Sequence, residues 1–394
     1  MFYQTEKIVL KKGKETFFRG RHPWIFSGAI ASYPASFKDG AICSIHSHSG
    51  ELLGHGYFRK SNSLAGRILS FGEEDPWSAV YRHLDQAIHM RDSLIDLNAT
   101  NAYRVVNGEG DHIPGLIVDQ YGEYLVLQSS TLGIDLMKEN IVSHLAKKGR
   151  WKGIFEKSTS TSREQEGLTQ NIGLLWGENK EELTIRENNL HFLINWKKGQ
   201  KTGFFLDQRE MRSLIGTLSK NRKVLNCFSY TGGFSIYALK GGATRVDSLD
   251  CSAAALDEAR KNFSLNQLNV EENLFIEKDA FDFLRKDPLQ YDLIILDPPA
   301  FIKRKNDVSQ GVKGYREINA QVLSKMPKGS ILLTCSCSYY MDEALFRTTL
   351  FQAGQNAGRD LQILKESFHP LDHPISLFHP EGRYLKSLLI YVSN

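Results

Sequence analysis

Apolar and polar positions change rhythm twice along this 394-residue chain. Over roughly the first 75 residues, short β-like runs such as AICSIHS, ELLGHGYF and AGRILSF are broken by Gly and Asp turns. They predict a small β-barrel or sandwich. After FGEEDPW the period lengthens. Val80, Leu84, Ala87, Ile88 and Leu94 recur at helical spacing, so a helix is predicted from near Trp77, just after Pro76. From about 100 to 190 the pattern returns to strands around turns marked by Gly108, Gly110, Gly115 and Gly122. A helix pattern spans about Leu136 to Ala146, and GIFEKS and LTIRENNLHFLINW follow as strands. This stretch reads as an α+β unit.

From about 191 onward strands and helices alternate. KVLNCF precedes a helix from about Phe234, and RVDSLD precedes one from Ser252 through Leu265. NLFIEKD, YDLIILD and SILLT are the next strands. That order predicts an α/β domain with a mostly parallel sheet and helices on both faces. The expected division is 1–75, 76–190 and 191–394.

Composition narrows the class. A 41% hydrophobic and 24% charged chain with no long apolar run predicts a globular protein without a membrane span. The N-terminus has charges within its short apolar run and no cleavage pattern, so a cytoplasmic location is expected. Five cysteines, at 43, 227, 251, 335 and 337, form no Cys-x-x-Cys, which predicts neither a disulfide framework nor a metal site. The net charge of +4 is matched by a local excess within residues 1–22. There Lys7, Lys11, Lys12, Lys14, Arg19 and Arg21 face only Glu6 and Glu15. Such a patch suits a phosphate backbone.

Ligands of parallel α/β sheets lie at the carboxyl ends of the strands. Gly232 and Gly233 sit where the first strand of this α/β domain turns into its helix and let a ligand approach the backbone. The segment is not G-x-G-x-x-G, which argues against a dinucleotide. Asp250 ends the second strand and can accept both ribose hydroxyls. Asp279, before Ala280, ends the third and can accept from an adenine amine. Each aspartate alone is as readily a helix cap. Their recurrence at successive strand ends points to S-adenosylmethionine.

Asp297 follows the apolar run YDLIIL, and Pro298 and Pro299 stiffen the loop behind it. Cys335 and Cys337 follow SILLT. A thiol and an acid suit carbon methylation of a pyrimidine. Thiolate addition at carbon 6 of cytosine makes carbon 5 nucleophilic, and an acid near ring nitrogen 3 stabilises the charge that develops there. A stacked cytosine hides these atoms, so the target must be unpaired or flipped out. Lys303, Arg304 and Lys305 are placed to hold flanking phosphates, and Phe301 either stacks on the base or packs in the core.

These segments resemble the bacterial 23S ribosomal RNA cytosine-C5 methyltransferase family, built from PUA, EEHEE and Rossmann-like domains. RHPWIFSGAI, with Arg21, His22 and Trp24, resembles the PUA signature, and NGEGDHIPGLIVDQYG resembles the middle domain. KTGFFLDQRE, NCFSYTGGF, LDPPAF, GYREIN, LLTCSCS and DHPISLFHPEGRYLK are similar to the catalytic domain in order and spacing. The resemblance implies S-adenosylmethionine as donor and 23S ribosomal RNA as substrate. It implies a cofactor pocket closed by Phe205, Leu206, Asp207 and Gln208 and lined by Asn226, Phe228, Tyr230, Thr231, Gly232, Gly233, Asp250, Asp279, Ala280 and Asp297. It implies RNA contacts from Arg21, His22 and Trp24, and it favours Cys337 over Cys335 as nucleophile. A homodimer stays open. The alternatives are a methyltransferase acting on an exocyclic base amine and a non-catalytic RNA-binding assembly factor.

Overall fold

The computed structural model describes residues 6–394. Residues 1–5, where the first expected domain and the N-terminal segment begin, lie outside the described residues. The chain forms two compact units. The first holds the residues through Ile185 with Ile194–Leu206 and Leu371–Gly382. The second holds Arg186–Leu193, Asp207–Pro370 and Arg383–Asn394.

In the first unit β1 (Glu6–Leu10), a short helix α1 (Glu15–Arg19), β2 (Trp24–Phe26), β3 (Ile30–Ser32), β4 (Ile42–His46), β5 (Leu52–Phe58) and β6 (Leu64–Phe71) come first. Their strands form one six-stranded sheet in the order β2-β6-β5-β4-β1-β3, around Ile8, Ile45, Phe58 and Ile68. The predicted helix is α2 (Pro76–Leu94): the Asp75 carboxylate accepts from Ser78 N, and Pro76 opens the first turn. β7 (Ala102–Asn107), β8 (Leu116–Tyr121), β9 (Tyr124–Ser129), α3 (Leu132–Ala146), β10 (Gly153–Ser158), α4 (Ser162–Gln165) and β11 (Asn171–Gly177) follow, and the strands order as β11-β10-β9-β8-β7. The helix expected from Leu136 begins a turn earlier, at Leu132. β11, whose sequence is NIGLLWG, is an edge strand with mostly exposed positions and is not among the strands expected above.

A two-stranded ladder, β12 (Glu182–Glu187) and β13 (Leu190–Asn195), precedes the second sheet. Then come α5 (Arg209–Leu218), β14 (Lys223–Cys227), α6 (Gly233–Lys240), β15 (Arg245–Asp250), α7 (Ala253–Leu265), β16 (Leu274–Glu277), α8 (Ala280–Lys286) and β17 (Leu293–Leu296). α9 (Val308–Lys325), β18 (Ile331–Ser336), α10 (Glu343–Ala357), β19 (Leu361–Ser367) and β20 (Lys386–Val392) complete it. The strand order is β16-β15-β14-β17-β18-β20-β19. The first five are parallel, as the alternating pattern predicts, and β20 runs antiparallel to both neighbours.

Alternate residues of each central strand feed opposite layers. Val224, Leu333 and Cys335 pack with Met211, Ile215 and Phe234 on one face. Leu225, Leu296 and Leu332 pack with Leu284, Tyr315, Val322 and Phe346 on the other. Strand order reverses at β14 and β17, which opens a crevice at their carboxyl ends.

Candidate active site

The turn leaving β14 is strained. Phe228 (φ 59°), Tyr230 (φ 48°) and Gly232 (φ 80°) all lie in the left-handed region. For two aromatic residues this costs about 1–3 kcal/mol each, and surrounding structure must hold it. Asn262 of α7 donates Nδ2 to Thr231 O, and Ser229 N donates to Leu249 O. A Cβ on Gly232 would sit 3.0 Å from the Ala259 Cβ, so α7 crowds the turn from behind. Beneath it, buried Asn226 donates Nδ2 to Ser235 Oγ (2.9 Å) at the start of α6, whose first residue is Gly233.

Asp250, the last residue of β15, accepts from Tyr230 N (2.8 Å) and Ser252 N (2.9 Å). It thus locks the strained turn while two carboxylate lone pairs stay available. Asp279 lies two residues beyond the end of β16, which stops at Glu277, so it does not end that strand. It is the exposed cap of α8, accepting from Asp282 N, and Ala280 is the buried first residue of that helix. The local signal was misleading because NLFIEKD is apolar only at its centre and the chain turns out once that ends.

Leu206–Gln208 form a single 3₁₀ turn ahead of α5. Leu206 is buried, and the Lys201 ammonium lies 4.5 Å from the centre of the Phe205 ring. Asp207 accepts from the Tyr384 hydroxyl (2.7 Å). Gln208 Nε2 donates to Asp297 Oδ2 (3.0 Å). Gln208 Oε1 and Ser229 Oγ are buried without a hydrogen-bond partner among the described residues. Buried polar atoms of this kind are satisfied by a polar ligand, and with the strained turn and Asp250 they fit a nucleoside bearing an amino-acid tail.

Asp297 follows β17 directly and is half-buried. β18 runs two residues further than the apolar pattern predicts, through Ser336. Cys335 is therefore inside the strand and not at its exit. It is fully buried in the α5–α6 layer, and burial, with Asp297 adding to it, pushes its thiol well above the ordinary range. Cys337 is the first residue past the strand and is half-buried. β17 and β18 are adjacent, so Asp297 and Cys337 leave neighbouring strand ends.

Three groups brace Cys337 that the sequence reading passed over. The Tyr315 hydroxyl of α9 bonds Ser338 Oγ (2.9 Å) and Ser336, the two residues flanking the cysteine. Ser338 Oγ also accepts from Ile302 N (3.2 Å), which ties the Asp297 loop to the Cys337 turn. Lys386 opens β20 opposite Ser336, is 2% exposed, and donates to Ser338 O (2.7 Å) and Tyr384 O (2.8 Å). Burial pulls its ammonium down to about 8, against the opposing fields of Cys337, Asp342 and Glu343. Tyr315 and Lys386 lie inside GYREIN and GRYLK, so the motifs were visible and only the roles were not.

Phe301 is partly buried and packs inward against Tyr315 (4.5 Å between centroids) and Phe281 (5.7 Å). Lys303, Arg304 and Lys305 are exposed. In the first unit Trp24 donates Nε1 to Glu109 (2.9 Å) and meets the His379 ring edge-on at 4.3 Å. His22 Nδ1 accepts from Trp24 N. In the neutral ring Nε2 then carries the proton, 3.6 Å from Glu381. Among the described residues no helix is long and apolar enough to cross a membrane.

A strained aromatic turn after the first strand and acids at later strand ends of a doubly wound sheet define an S-adenosylmethionine-dependent methyltransferase with an appended small β domain. Residues 166–356 match the S-adenosylmethionine-dependent methyltransferase family, and residues 8–71 match a PUA-like domain. Ribosomal RNA large subunit methyltransferase I of Aeromonas salmonicida (strain A449) is 38% identical over 389 residues, 97% of this chain and 98% of that protein. The Shigella boydii serotype 4 (strain Sb227) protein of the same name is 36% identical over 386 residues, 96% of this chain and 98% of its own length. The chain belongs to the ribosomal RNA large subunit methyltransferase I family. In fold it is also similar to SMU.776 complexed with SAH, with TM-score 0.84, 24% identity and coverage of 98% and 99% of the two chains. A SAM-dependent methyltransferase from Streptococcus mutans has TM-score 0.82, 23% identity and the same coverage.

Asp250 gives a direct test of the cofactor pocket. Asp250→Ala removes the charged acceptor that holds the turn. It is expected to weaken S-adenosylmethionine binding by about 10- to 100-fold, the scale of a hydrogen bond to a charged group. Isothermal titration reads this directly, and an unchanged dissociation constant would take Asp250 out of the pocket.

Proposed function

We propose that this enzyme methylates carbon 5 of a cytosine in 23S ribosomal RNA, with Cys337 as nucleophile. The carrying observation is the difference between the two thiols. Cys335 is sealed in an apolar layer, whereas Cys337 is half-buried at the strand end next to that of Asp297. Support for ribosomal RNA comes from the ribosomal RNA large subunit methyltransferases that match nearly the whole chain.

Cys337 adds through sulfur to carbon 6, and the electrons of the 5,6 double bond shift to make carbon 5 nucleophilic. Asp297, held by Gln208, stabilises the ring at nitrogen 3. Bound S-adenosylmethionine supplies an electrophilic methyl group. Loss of the carbon 5 proton to a base, with expulsion of the Cys337 thiolate, restores the aromatic ring. Asn226, Phe228, Tyr230, Thr231, Gly232, Gly233 and Asp250 would hold the cofactor together with the Phe205–Gln208 turn, Asp279 and Ala280. Arg21, His22, Trp24, Lys303, Arg304 and Lys305 are the proposed RNA contacts. In this division 1–75 is the PUA domain that binds RNA, 76–190 is a linker helix with an EEHEE α+β domain, and 191–394 catalyses, in the cytoplasm.

An exocyclic-amine methyltransferase needs no thiol and favours an aromatic stacked beside the Asp-Pro-Pro loop. The inward packing of Phe301 disfavours it. Mass analysis of nucleosides from large-subunit RNA methylated by the purified enzyme is expected to yield 5-methylcytidine. An N-methylated nucleoside would overturn the reading.

A further inference from the structure

The first unit contains a cleft of about 330 Å³ that plays no part in methyl transfer. Its volume lies within the range of ligand sites, about 300–1,000 Å³. It is bounded by the end of β6, by α2, by the turn after β7 and by the Leu371–Gly382 segment.

Arg21 stands at its mouth with φ 58°, a left-handed conformation that a non-glycine residue holds at a cost. Its guanidinium centre lies 5.1 Å from the Phe71 ring and 5.8 Å from the Phe378 ring. It is exposed, and among the described residues its guanidinium has no ion pair or hydrogen bond. Arg82, by contrast, is neutralised by a two-bond pair with Glu74 (2.8 and 2.7 Å). Arg21 is thus oriented by aromatic faces with its donors uncommitted.

Two histidines line the cleft, buried His83 and exposed His112, 5.2 Å apart between ring centres. His83 is 9% exposed, and its buried Nδ1 has no hydrogen-bond partner. His112, at φ 60°, is a second left-handed residue on the same cleft. Burial lowers both, His83 to about 4, with Arg82 adding to the effect on His83 and Arg21 and Arg82 to that on His112. Both rings are therefore neutral near pH 7, and each offers one donor and one acceptor. A neutral donor–acceptor lining under aromatic rings suits the edge of a flat heterocycle and not a buried ion. The cationic mouth suits a phosphate attached to it.

We propose that this cleft receives one unpaired nucleobase of the RNA substrate, with Arg21 on the adjoining phosphate. The proposal rests on the reading of the chain as an RNA methyltransferase and adds a second point of RNA recognition to it. The test uses the full chain, a fluorescein-labelled 12-nucleotide single-stranded RNA of mixed sequence, and its abasic ribose-phosphate counterpart. Phe378→Ala and Arg21→Ala alter exposed side chains and leave the core intact. Phe378→Ala is expected to weaken binding of the 12-mer about 5- to 100-fold, the range for loss of one stacked base, and to leave abasic binding unchanged. Arg21→Ala weakens both probes, and both variants keep wild-type affinity for S-adenosylmethionine. Wild-type affinity of Phe378→Ala for the 12-mer, or equal loss on the abasic strand, overturns the cleft as a base site. Methyl transfer to ribosomal RNA by the unmodified enzyme, measured alongside, separates the two claims. If it is present, only the cleft falls; if it is absent together with RNA binding, the parent reading falls as well.

Discussion

Cys337→Ala is expected to lower methyl transfer to ribosomal RNA by about 10³-fold or more, the scale seen when a covalent nucleophile is removed. Cys335→Ala is expected to retain transfer within a few-fold and to lose about 1–3 kcal/mol of stability, as for a side chain cut from a packed layer. The contrast follows from two residues of strand length. Cys335 lies within β18 against the α5–α6 layer, where ionisation is strongly opposed. Cys337 lies beyond it, between two serines bonded to one tyrosine hydroxyl. Tritium transfer from labelled S-adenosylmethionine gives the rates. An RNA carrying 5-fluorocytosine gives a second readout, because fluorine at carbon 5 blocks the final elimination and traps the adduct. A stable protein–RNA complex is expected from wild type and Cys335→Ala, and none from Cys337→Ala. Full activity in Cys337→Ala would end the covalent mechanism at this residue.

The second large effect concerns stability. Arg212 of α5 and Glu187 at the end of β12 are a buried pair, joined by Nε–Oε1 (2.8 Å) and Nη2–Oε2 (2.7 Å) with side chains 3% and 0% exposed. The Tyr237 hydroxyl of α6 donates to the same carboxylate (3.0 Å), so one acid joins β12, α5 and α6. Arg212→Met leaves that carboxylate buried without its cation. It is expected to destabilise the protein by about 3–5 kcal/mol, the cost of an uncompensated buried charge. Urea unfolding followed by circular dichroism measures it. Arg212→Met combined with Glu187→Leu is expected to recover part of the loss, because the lone charge is gone. A single variant within 1 kcal/mol of wild type would show that the pair carries little.

Much of the site was legible because strands buried on both faces write themselves as apolar runs, and in a parallel sheet their carboxyl ends carry the ligand. YDLIILD located Asp297 this way, whereas RVDSLD, with only Val246 and Leu249 apolar, located Asp250 through the alternation of strand and helix. The same signal failed where polar residues continue a strand. Cys335 and Ser336 are buried in β18, but their composition looks like a loop. It failed again at Asp279, where the strand stops at Glu277, two residues short of the aspartate. Tyr315 and Lys386 acquire roles only through partners 23 and 48 residues from them in the chain.

Local periodicity and turn chemistry alone therefore determined the alternation of strand and helix, the parallel sheet, the glycine turn and the acids at its edge. These properties depend on neighbours in sequence, where hydrophobic spacing and backbone freedom act directly. Tertiary structure alone decided three further things. It set which thiol is sealed, because that depends on where pairing with β20 stops. It set the brace around Cys337, because antiparallel register brings Lys386 opposite Ser336. It also assigned Leu371–Gly382 to the first unit, where Asp372 O accepts from buried Arg91 and the Asp372 carboxylate accepts from Arg104 N. Buried polar groups must find partners wherever the fold provides them, and no periodicity in the sequence records that choice.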